Sequence, residues 1–378
     1  MQKVFFCYGS IEKIREILEN RKSKNIFLVT GKRSFYLSGA QEKILDIIKG
    51  KKYTHFNSFS SNPTIDEIKK GTDLFKKNQF DIVISVGGGS AIDIAKAINV
   101  LSFQKENAEV YLKGKKELEE EGLPLIAVPL TAGTGSESTR FSTIYIDKKK
   151  YSLSSERHIL PNYAVIDPSL HESMSKRLTA ITGLDALTQS IESLWSVNSN
   201  NESIQYAKKS IKLSLNAIVK AVINPDRRLR VDMAKAANLS GKAINISKTT
   251  ACHSISYPIT SYFNIPHGHA VALTLPEIIE YNYNISSNDC IDKRGVKFVK
   301  ERMSELLKLL DCRDGKEANI KIKNLMKQIG IETKLRDLNI DVKDIEIILN
   351  EGFTADRMNN NPRKINRNDL ENILSELL

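Results

Sequence analysis

The run Asp81-Ile-Val-Ile-Ser-Val86, followed at once by Gly87-Gly-Gly-Ser90, limits the folds open to this chain more than any other stretch. A short apolar run rich in β-branched residues and ended by glycines reads as a strand buried on both faces. The residues from Ala91 onward carry a helical pattern. A strand that passes through glycines straight into a helix is the repeating unit of an α/β domain with a mostly parallel sheet. The same alternation surrounds it. Asn25 to Gly31 reads as a strand ending at a glycine turn, with a helix from about Ser38 to Lys49, and Thr54 to Ser60 as a weaker strand. Ser61-Asn-Pro-Thr64 caps a helix to about Lys77, with Asp66 and Glu67 in its first turn, where the helix dipole favours them. Leu123 to Pro129, Arg140 to Ile146, Lys150 to Leu153 and Tyr163 to Asp167 read as further strands.

From Pro168 the periodicity becomes helical and stays so to Leu378. The interruptions are loops at Asn198 to Asn201, Asn224 to Asp226, Asn264 to Pro266, Ser286 to Asp289 and Asn359 to Pro362. The expected organisation is an α/β domain over residues 1–170 and an all-helical domain over residues 171–378, with a ligand site in the cleft between them.

Glycine loops at strand ends suggest what the first domain holds. Gly87, Gly88, Gly89 and Ser90 lie between a strand and a helix, so backbone N–H groups and the positive helix end can face a phosphate without side-chain obstruction. A tight strand–helix turn is the simpler reading of the same glycines. Asp93 either meets a ribose or nicotinamide or stabilises the helix start. Leu130-Thr-Ala-Gly-Thr-Gly-Ser-Glu137 is a second small-residue loop, with Thr131, Thr134 and Ser136 as hydroxyl donors. Two such loops at strand ends are what an open α/β sheet offers a nucleotide at its carboxyl edge. The spacing is not G-x-G-x-x-G, so the common dinucleotide fingerprint is absent.

The helical half carries a ligand constellation. Asp185 and Gln189 are four apart, one above the other on a helix face. His253 and His267 would be about 21 Å apart along an unbroken helix, so they share an ion only if the chain turns back. Asn264-Ile-Pro266 supplies that break, and Pro266 can open a new helix with His267 in its first turn. One carboxylate, one amide and two imidazoles suit iron(II) or zinc. Taken singly, Asp185 reads as a solvated or capping carboxylate and each histidine as a satisfied polar residue, but the chain has only six histidines. Cys252 adjoins His253, but neighbouring side chains diverge, which leaves it outside the set.

Composition excludes several classes. Among 378 residues, 41% are hydrophobic and 27% charged, ordinary for a soluble enzyme. No stretch approaches the eighteen or so apolar residues a membrane span needs, and the N-terminus has too short an apolar run for a signal peptide, so a cytoplasmic protein is expected. Four scattered cysteines without C-x-x-C spacing fit reduced thiols. The net charge of +11 is spread over many helices without a recognition motif. An anionic small molecule is therefore a better-motivated partner than nucleic acid.

In combination the motifs resemble the iron-containing (group III) alcohol dehydrogenase family. They are Val-Gly-Gly-Gly-Ser-Ala-Ile-Asp at 86–93, Pro-Leu-Thr-Ala-Gly-Thr-Gly-Ser-Glu at 129–137, Asp-Pro at 167–168, Gly-Leu-Asp-Ala-Leu-Thr at 183–188, Cys-His-Ser at 252–254 and Ile-Pro-His-Gly at 265–268. The likeness runs from about residue 25 to Asn-Asn-Pro-Arg at 360–363. It implies a dinucleotide-binding α/β domain, a helical domain holding a divalent metal in the dehydroquinate synthase-like manner, and reversible aldehyde reduction with NAD(P)H. A homodimer is expected. The family's Asp, His, His and His ligands fall on Asp185, Gln189, His253 and His267, so Gln189 either ligates or orients substrate while three residues hold the ion. Tyr257 stands where the family usually carries a histidine of a proton relay. The alkoxide proton would come from water, a cofactor ribose hydroxyl or Tyr257.

The stretch 185–199 resembles a branch that includes phosphonoacetaldehyde reductases, which form 2-hydroxyethylphosphonate. Arg140, Lys150 and Arg157 are the basic residues near the loops that could meet a phosphonate; solvated surface charge is their simpler reading. Gly31-Lys32-Arg33, with no acidic residue to repel a 2′-phosphate, predicts that NADPH is accepted. A general short-chain alcohol dehydrogenase, a dehydroquinate-synthase-like lyase and a degenerate nucleotide-binding protein are the alternatives.

Overall fold

The computed structural model describes residues 2–378, in one unit that ends at Met174 and another that spans Ser175–Leu378. The strands of the first unit are β1 (Lys3–Phe6), β2 (Asn25–Thr30), β3 (Lys52–Phe56), β4 (Ile82–Gly87), β5 (Leu125–Pro129), β6 (Phe141–Ile146), β7 (Lys149–Ser154) and β8 (Tyr163–Ile166). Its helices are α1 (Lys13–Asn20), α2 (Lys32–Leu37), α3 (Ala40–Ile47), α4 (Ile65–Lys76), α5 (Gly89–Leu101) and α6 (Ala108–Leu112). Six strands form one sheet in the order β1-β8-β5-β4-β2-β3, and every pair is parallel.

Alternation explains the layers. Along β2, Ile26 and Leu28 pack with α1 and α3 residues such as Ile14 and Ile44 on one face. Phe27 and Val29 join Phe56, Phe75 and Ile98 on the other. Both faces are covered, which is why β2 and β4 read as continuous apolar runs. The ring of Phe27 meets Phe75 edge-on at 5.0 Å and Phe80 at 5.2 Å.

The structure adds to the sequence reading in four places. The apolar run of β1 is too short to stand out, yet it pairs in parallel with β8. Helix α2 starts directly after Gly31, where only a turn was expected, and Gly39 separates it from α3 at φ 72°. Pairing with β2 pulls β3 to Lys52–Phe56, ahead of the expected Thr54 to Ser60. Strands β6 and β7 form an antiparallel hairpin of their own and do not extend the main sheet. The cap of α4 is as expected and is a full capping box: Thr64 Oγ1 accepts from Glu67 N while Glu67 accepts from Thr64 N.

The second unit is helical throughout: α7 (Lys176–Trp195), α8 (Asn201–Ile223), α9 (Arg227–Ser247), α10 (Ala251–Phe263), α11 (His267–Tyr283), α12 (Val296–Leu310), α13 (Gly315–Gln328), α14 (Ile345–Glu351), α15 (Ala355–Met358) and α16 (Arg367–Ser375). Helix α7 is its axis, buried continuously from Gly183 to Trp195 and packed against α8, α9, α11 and α12. Ser175, Asn200 and Asp226 cap α7, α8 and α9 through their side-chain oxygens. Among the described residues no helix is long and apolar enough to cross a membrane.

Two glycines let the helices close on α7. A Cβ on Gly183 would lie 2.8 Å from Met233 Cε and 2.9 Å from Ile218 Cδ1. At Gly268 a Cβ would overlap the carbonyl oxygen of Ile181, which as backbone cannot swing away. Gly268→Ala is therefore expected to push α11 off α7 and lower stability by roughly 1–3 kcal/mol, read as a lower urea midpoint. Wild-type stability in that variant would show that the contact is not tight.

Candidate metal centre and dinucleotide site

Helix α7 carries Asp185 and Gln189 one turn apart, and both are buried. His253 lies in the first turn of α10, and His267 is the first residue of α11. Asn264, in the left-handed region at φ 58°, ends α10, and Pro266 caps α11. The chain thus turns back as the Asn264–Pro266 break predicts. The two imidazole centroids come to 5.3 Å. One ligand atom from each of Asp185, His253 and His267 lies within 4.8 Å of the others, with His253 Nε2 3.8 Å from Asp185 Oδ1.

A further carboxylate stands behind these groups. Glu192, fully buried seven residues after Asp185 on the same helix, accepts a short hydrogen bond from His253 Nδ1. It also accepts from Thr250 Oγ1 at 3.0 Å and His253 N at 3.3 Å, and Trp195 Nε1 donates to Thr250 Oγ1 at 3.0 Å. Burial pushes the Glu192 pKa up, but His253 and Thr250 outweigh it and hold the carboxyl below its ordinary value. A carboxylate on Nδ1 fixes the tautomer in which Nε2 is a bare acceptor. That Nε2 is buried with no hydrogen-bond partner and faces a carboxylate oxygen, an arrangement of two acceptors that asks for a cation. The donor set fits a divalent ion of the iron or zinc type. Cys252 is buried with its thiol pKa pushed well up by burial, as suits a cysteine outside the set.

Gln189 is placed less simply. Its Nε2 donates to Asp185 Oδ1 at 3.2 Å, and Ser240 Oγ lies 3.1 Å from its Oε1. The single Ser240 hydroxyl proton also points at Ala237 O, 2.8 Å away. Turning the amide over lets Nε2 donate to Ser240, leaving the hydroxyl proton to Ala237. Oε1 then faces Asp185 Oδ1, which is favourable only with a cation between the oxygens.

In the first unit the loops after β2, β4 and β5 meet, because those strands are neighbours in the sheet. Gly31 N donates to Val86 O at 3.0 Å. A Cβ on Gly87 would overlap Ala91 Cβ and lie 3.1 Å from Gly31 N, and one on Gly89 would lie 2.8 Å from Thr134 Oγ1. Thr131 Oγ1 would be 3.5 Å from a Cβ on Gly88. These side-chain-free positions bring Gly31, Gly87, Gly88, Gly89, Thr131 and Thr134 together around the start of α5. Ser90 Oγ donates to Ser61 O.

Asp93 ties this region to the hairpin. One of its oxygens accepts from Ser136 Oγ, and the other accepts from Thr143 N at 3.0 Å. The carboxylate is thus engaged in joining α5 to the β5 loop and β6. Lys96, a residue to which the sequence reading assigned no role, completes the join. Its ammonium is 1% exposed and donates to Ser136 O at 2.6 Å, Thr139 O at 2.8 Å and Phe141 O at 2.8 Å.

The three basic residues near the loops are on or beside the β6–β7 hairpin. Arg140 pairs with Glu156 at 2.9 Å and Arg157 with Glu121 at 2.8 Å, while Lys150 is on β7. The two arginines therefore carry carboxylate partners of their own. Tyr257 follows His253 by one turn of α10.

The family model described as iron-containing alcohol dehydrogenase matches residues 1–168, and the C-terminal model of the Fe-containing alcohol dehydrogenase family matches residues 179–378. Alcohol dehydrogenase 4 of Saccharomyces cerevisiae is 31% identical over 91% of this chain and 88% of that protein. The phosphonoacetaldehyde reductase of Streptomyces viridochromogenes is 32% identical over 78% of this chain and 76% of that protein. Among solved structures, sulfoacetaldehyde reductase from Bifidobacterium kashiwanohense in complex with NAD+ superposes with a TM-score of 0.87 at 29% identity, covering 100% of this chain and 96% of that one.

Two outcomes follow from the geometry. Glu192→Gln should weaken zinc or iron(II) affinity roughly 10–100-fold in a chelator-competition titration; unchanged affinity would remove Glu192 from the metal centre. Burial lowers the Lys96 pKa from 10.5 to about 8, against the opposing pull of Asp93 and Glu137. Below about 8 both folded and unfolded chains hold this proton; from there to 10.5 only the unfolded chain does, so this group's contribution makes the fold more stable as pH rises. Measured by urea unfolding, wild type should gain roughly 2–3 kcal/mol over Lys96→Met between about pH 7 and about pH 10. A pH-independent difference would refute the shift.

Proposed function

The chain belongs to the iron-containing alcohol dehydrogenase family, and from that premise we propose that it reduces a small anionic aldehyde with NAD(P)H. Phosphonoacetaldehyde, giving 2-hydroxyethylphosphonate, is the expected substrate. The observation that carries the reductase reading is the cluster of buried Asp185 and His253 with half-buried His267, in which the His253 Nε2 has no hydrogen-bond partner. The anionic substrate is supported by the net charge of +11 and by two relatives whose names specify phosphono- and sulfoacetaldehyde. The yeast relative, named simply as an alcohol dehydrogenase, favours the second reading of an enzyme for uncharged short-chain aldehydes.

A divalent ion held by Asp185, His253 and His267, with the Gln189 oxygen as a recruited ligand, would supply Lewis acidity toward the carbonyl oxygen. A reduced nicotinamide would supply the hydride. The chain's own residues do the rest. Glu192 holds the His253 ring so that Nε2 faces Asp185. The N–H groups at the start of α5, between Gly87 and Ser90, would donate to a pyrophosphate, with Thr131, Thr134 and Ser136 on the neighbouring loop. The Tyr257 hydroxyl is a neutral donor one turn from His253, suited to giving the proton that turns the alkoxide into an alcohol. Lys32 and Arg33, after β2, place positive charge where a ribose 2′-phosphate would be, so NADPH is accepted.

The test is NAD(P)H oxidation by iron- or zinc-loaded enzyme with phosphonoacetaldehyde, sulfoacetaldehyde, propanal and lactaldehyde. A large kcat/KM preference for the anionic aldehydes is expected, with NADPH turned over at a rate comparable to NADH. Turnover of the uncharged aldehydes alone would favour the second reading. Absence of NAD(P)H consumption with every aldehyde would defeat the reductase reading and favour a lyase of the dehydroquinate-synthase type.

A further inference from the structure

Arg357 is a charged side chain that neither the metal centre nor the nucleotide loops account for. It lies in α15, within a segment tied to the N-terminal end of α10 on both sides. Before it, Ser254 Oγ donates to Gly352 O at 2.6 Å, and Thr354 N donates to Ser254 Oγ at 2.9 Å. After it, Asn360 Nδ2 donates to Thr249 O at 3.0 Å, and Val197 N donates to Asn360 O at 3.0 Å. Ser254 is the residue next to His253, so the segment is pinned against the helix that carries a metal ligand.

The Arg357 side chain is buried, with 8% exposure. Its ion-pair partner is Asp356, its neighbour in sequence, whose side chain is 62% exposed. Its Nε is buried without a hydrogen-bond partner. Burial works against the charge, yet Tyr257, Asp356 and Glu192 outweigh it and raise the guanidinium pKa above its ordinary value. Two of those groups flank the metal centre: Tyr257 is one turn beyond His253, and Glu192 is bonded to it.

A buried guanidinium is costly unless its donors are matched. Asp356 lies toward water and Tyr257 takes a further hydrogen bond from the guanidinium, which leaves Nε as the buried donor still unmatched. Fastening the segment does not need it, because Ser254, Thr249 and Asn360 already do that. Asp356 is shared with Lys248 at 3.2 Å, so its one negative charge serves two cations and a positive excess remains at Arg357. A planar fork of N–H donors matches the oxygens of a phosphonate, sulfonate or carboxylate. We propose that Arg357 is the specificity-determining residue that binds the acidic group of the substrate. The aldehyde end of the same molecule then lies toward Asp185, His253 and His267. This assignment rests on the anionic-aldehyde reading above, and it moves the role away from Arg140 and Arg157, which have their own carboxylates.

The experiment compares wild type, Arg357→Met and Arg357→Lys on phosphonoacetaldehyde and propanal, with ethylphosphonate as a competitive inhibitor of propanal reduction. In Arg357→Met the ratio of kcat/KM for the phosphonate to that for propanal should fall about 100-fold, mainly through KM, the scale of losing a charge-assisted pair. Ethylphosphonate inhibition should weaken in parallel, and Arg357→Lys should recover part of both. Equal losses on the two aldehydes would make Arg357 a purely structural residue and overturn the proposal. An unchanged ratio and unchanged inhibition would overturn it as well, while leaving the anionic-substrate reading standing. A wild-type enzyme that shows no preference for the phosphonate and no inhibition by ethylphosphonate would overturn both. Should Arg357→Met fail to fold, the lysine variant decides: wild-type discrimination with its point charge in place of the fork refutes recognition by the guanidinium.

Discussion

The helical unit depends on how it satisfies one carboxylate, Glu192, placed without solvent access in the last turn of its central helix. A buried negative charge is tolerable only with full hydrogen bonding. Here Thr250 and both the ring and the backbone N–H of His253 provide it. That requirement brings the start of α10 against α7 and presents His253 Nε2 on the side of Asp185. The Trp195 indole extends the network through Thr250, so the polar chain is continuous from the C-terminal end of α7 to the metal-ligand cluster. The apolar packing around it does the rest: Gly183 and Gly268 remove side chains where neighbouring helices must touch α7, which keeps His267 close enough to join the set.

In the α/β unit the corresponding constraint is a positive charge. Lys96 sits under the loops and reaches three backbone carbonyls from the β5 loop and β6. Asp93 adds a donor–acceptor link to Ser136 and to the amide of Thr143. Loops built from glycine and small hydroxyl residues would otherwise be loose, since glycine loses the most backbone freedom on folding. The buried ammonium and carboxylate pin the edges of the loop while its glycines leave the backbone N–H groups uncovered. Phosphate-binding capacity and rigidity are thus supplied by different residues.

The parts legible in the sequence are those whose signal is local. Strand β4 and its glycines, the capping box at Thr64, the i,i+4 pair Asp185 and Gln189 and the break before His267 all follow from spacing within a few residues. Glu192, Lys96 and Arg357 were not legible, because each acquires meaning only from a partner distant in sequence or from burial. Glu192 came nearest: a turn-and-turn repeat from Asp185 puts it on the same helix face, a signal that could have paired it with a histidine. Lys96 carries no sequence signal, because no pattern marks a lysine whose acceptors are carbonyls some forty residues away. Strand β1 was missed for a different reason. Its four residues are a strand only because β8 offers an edge to pair with.

The resemblance sets Gln189 and Tyr257 at positions where histidines are expected, and the amide and the phenol are both weaker bases than an imidazole. Arg357 supplies the same region with a cation in a fixed place, and a permanent one. On the proposed reading the tasks are separate: an amide beside the ion, a hydroxyl for the proton, and a guanidinium for an anion. Such a separation is unnecessary for an uncharged aldehyde. It becomes an advantage when the substrate itself brings negative charge, because the anion is then neutralised by a group other than the one that must polarise the carbonyl.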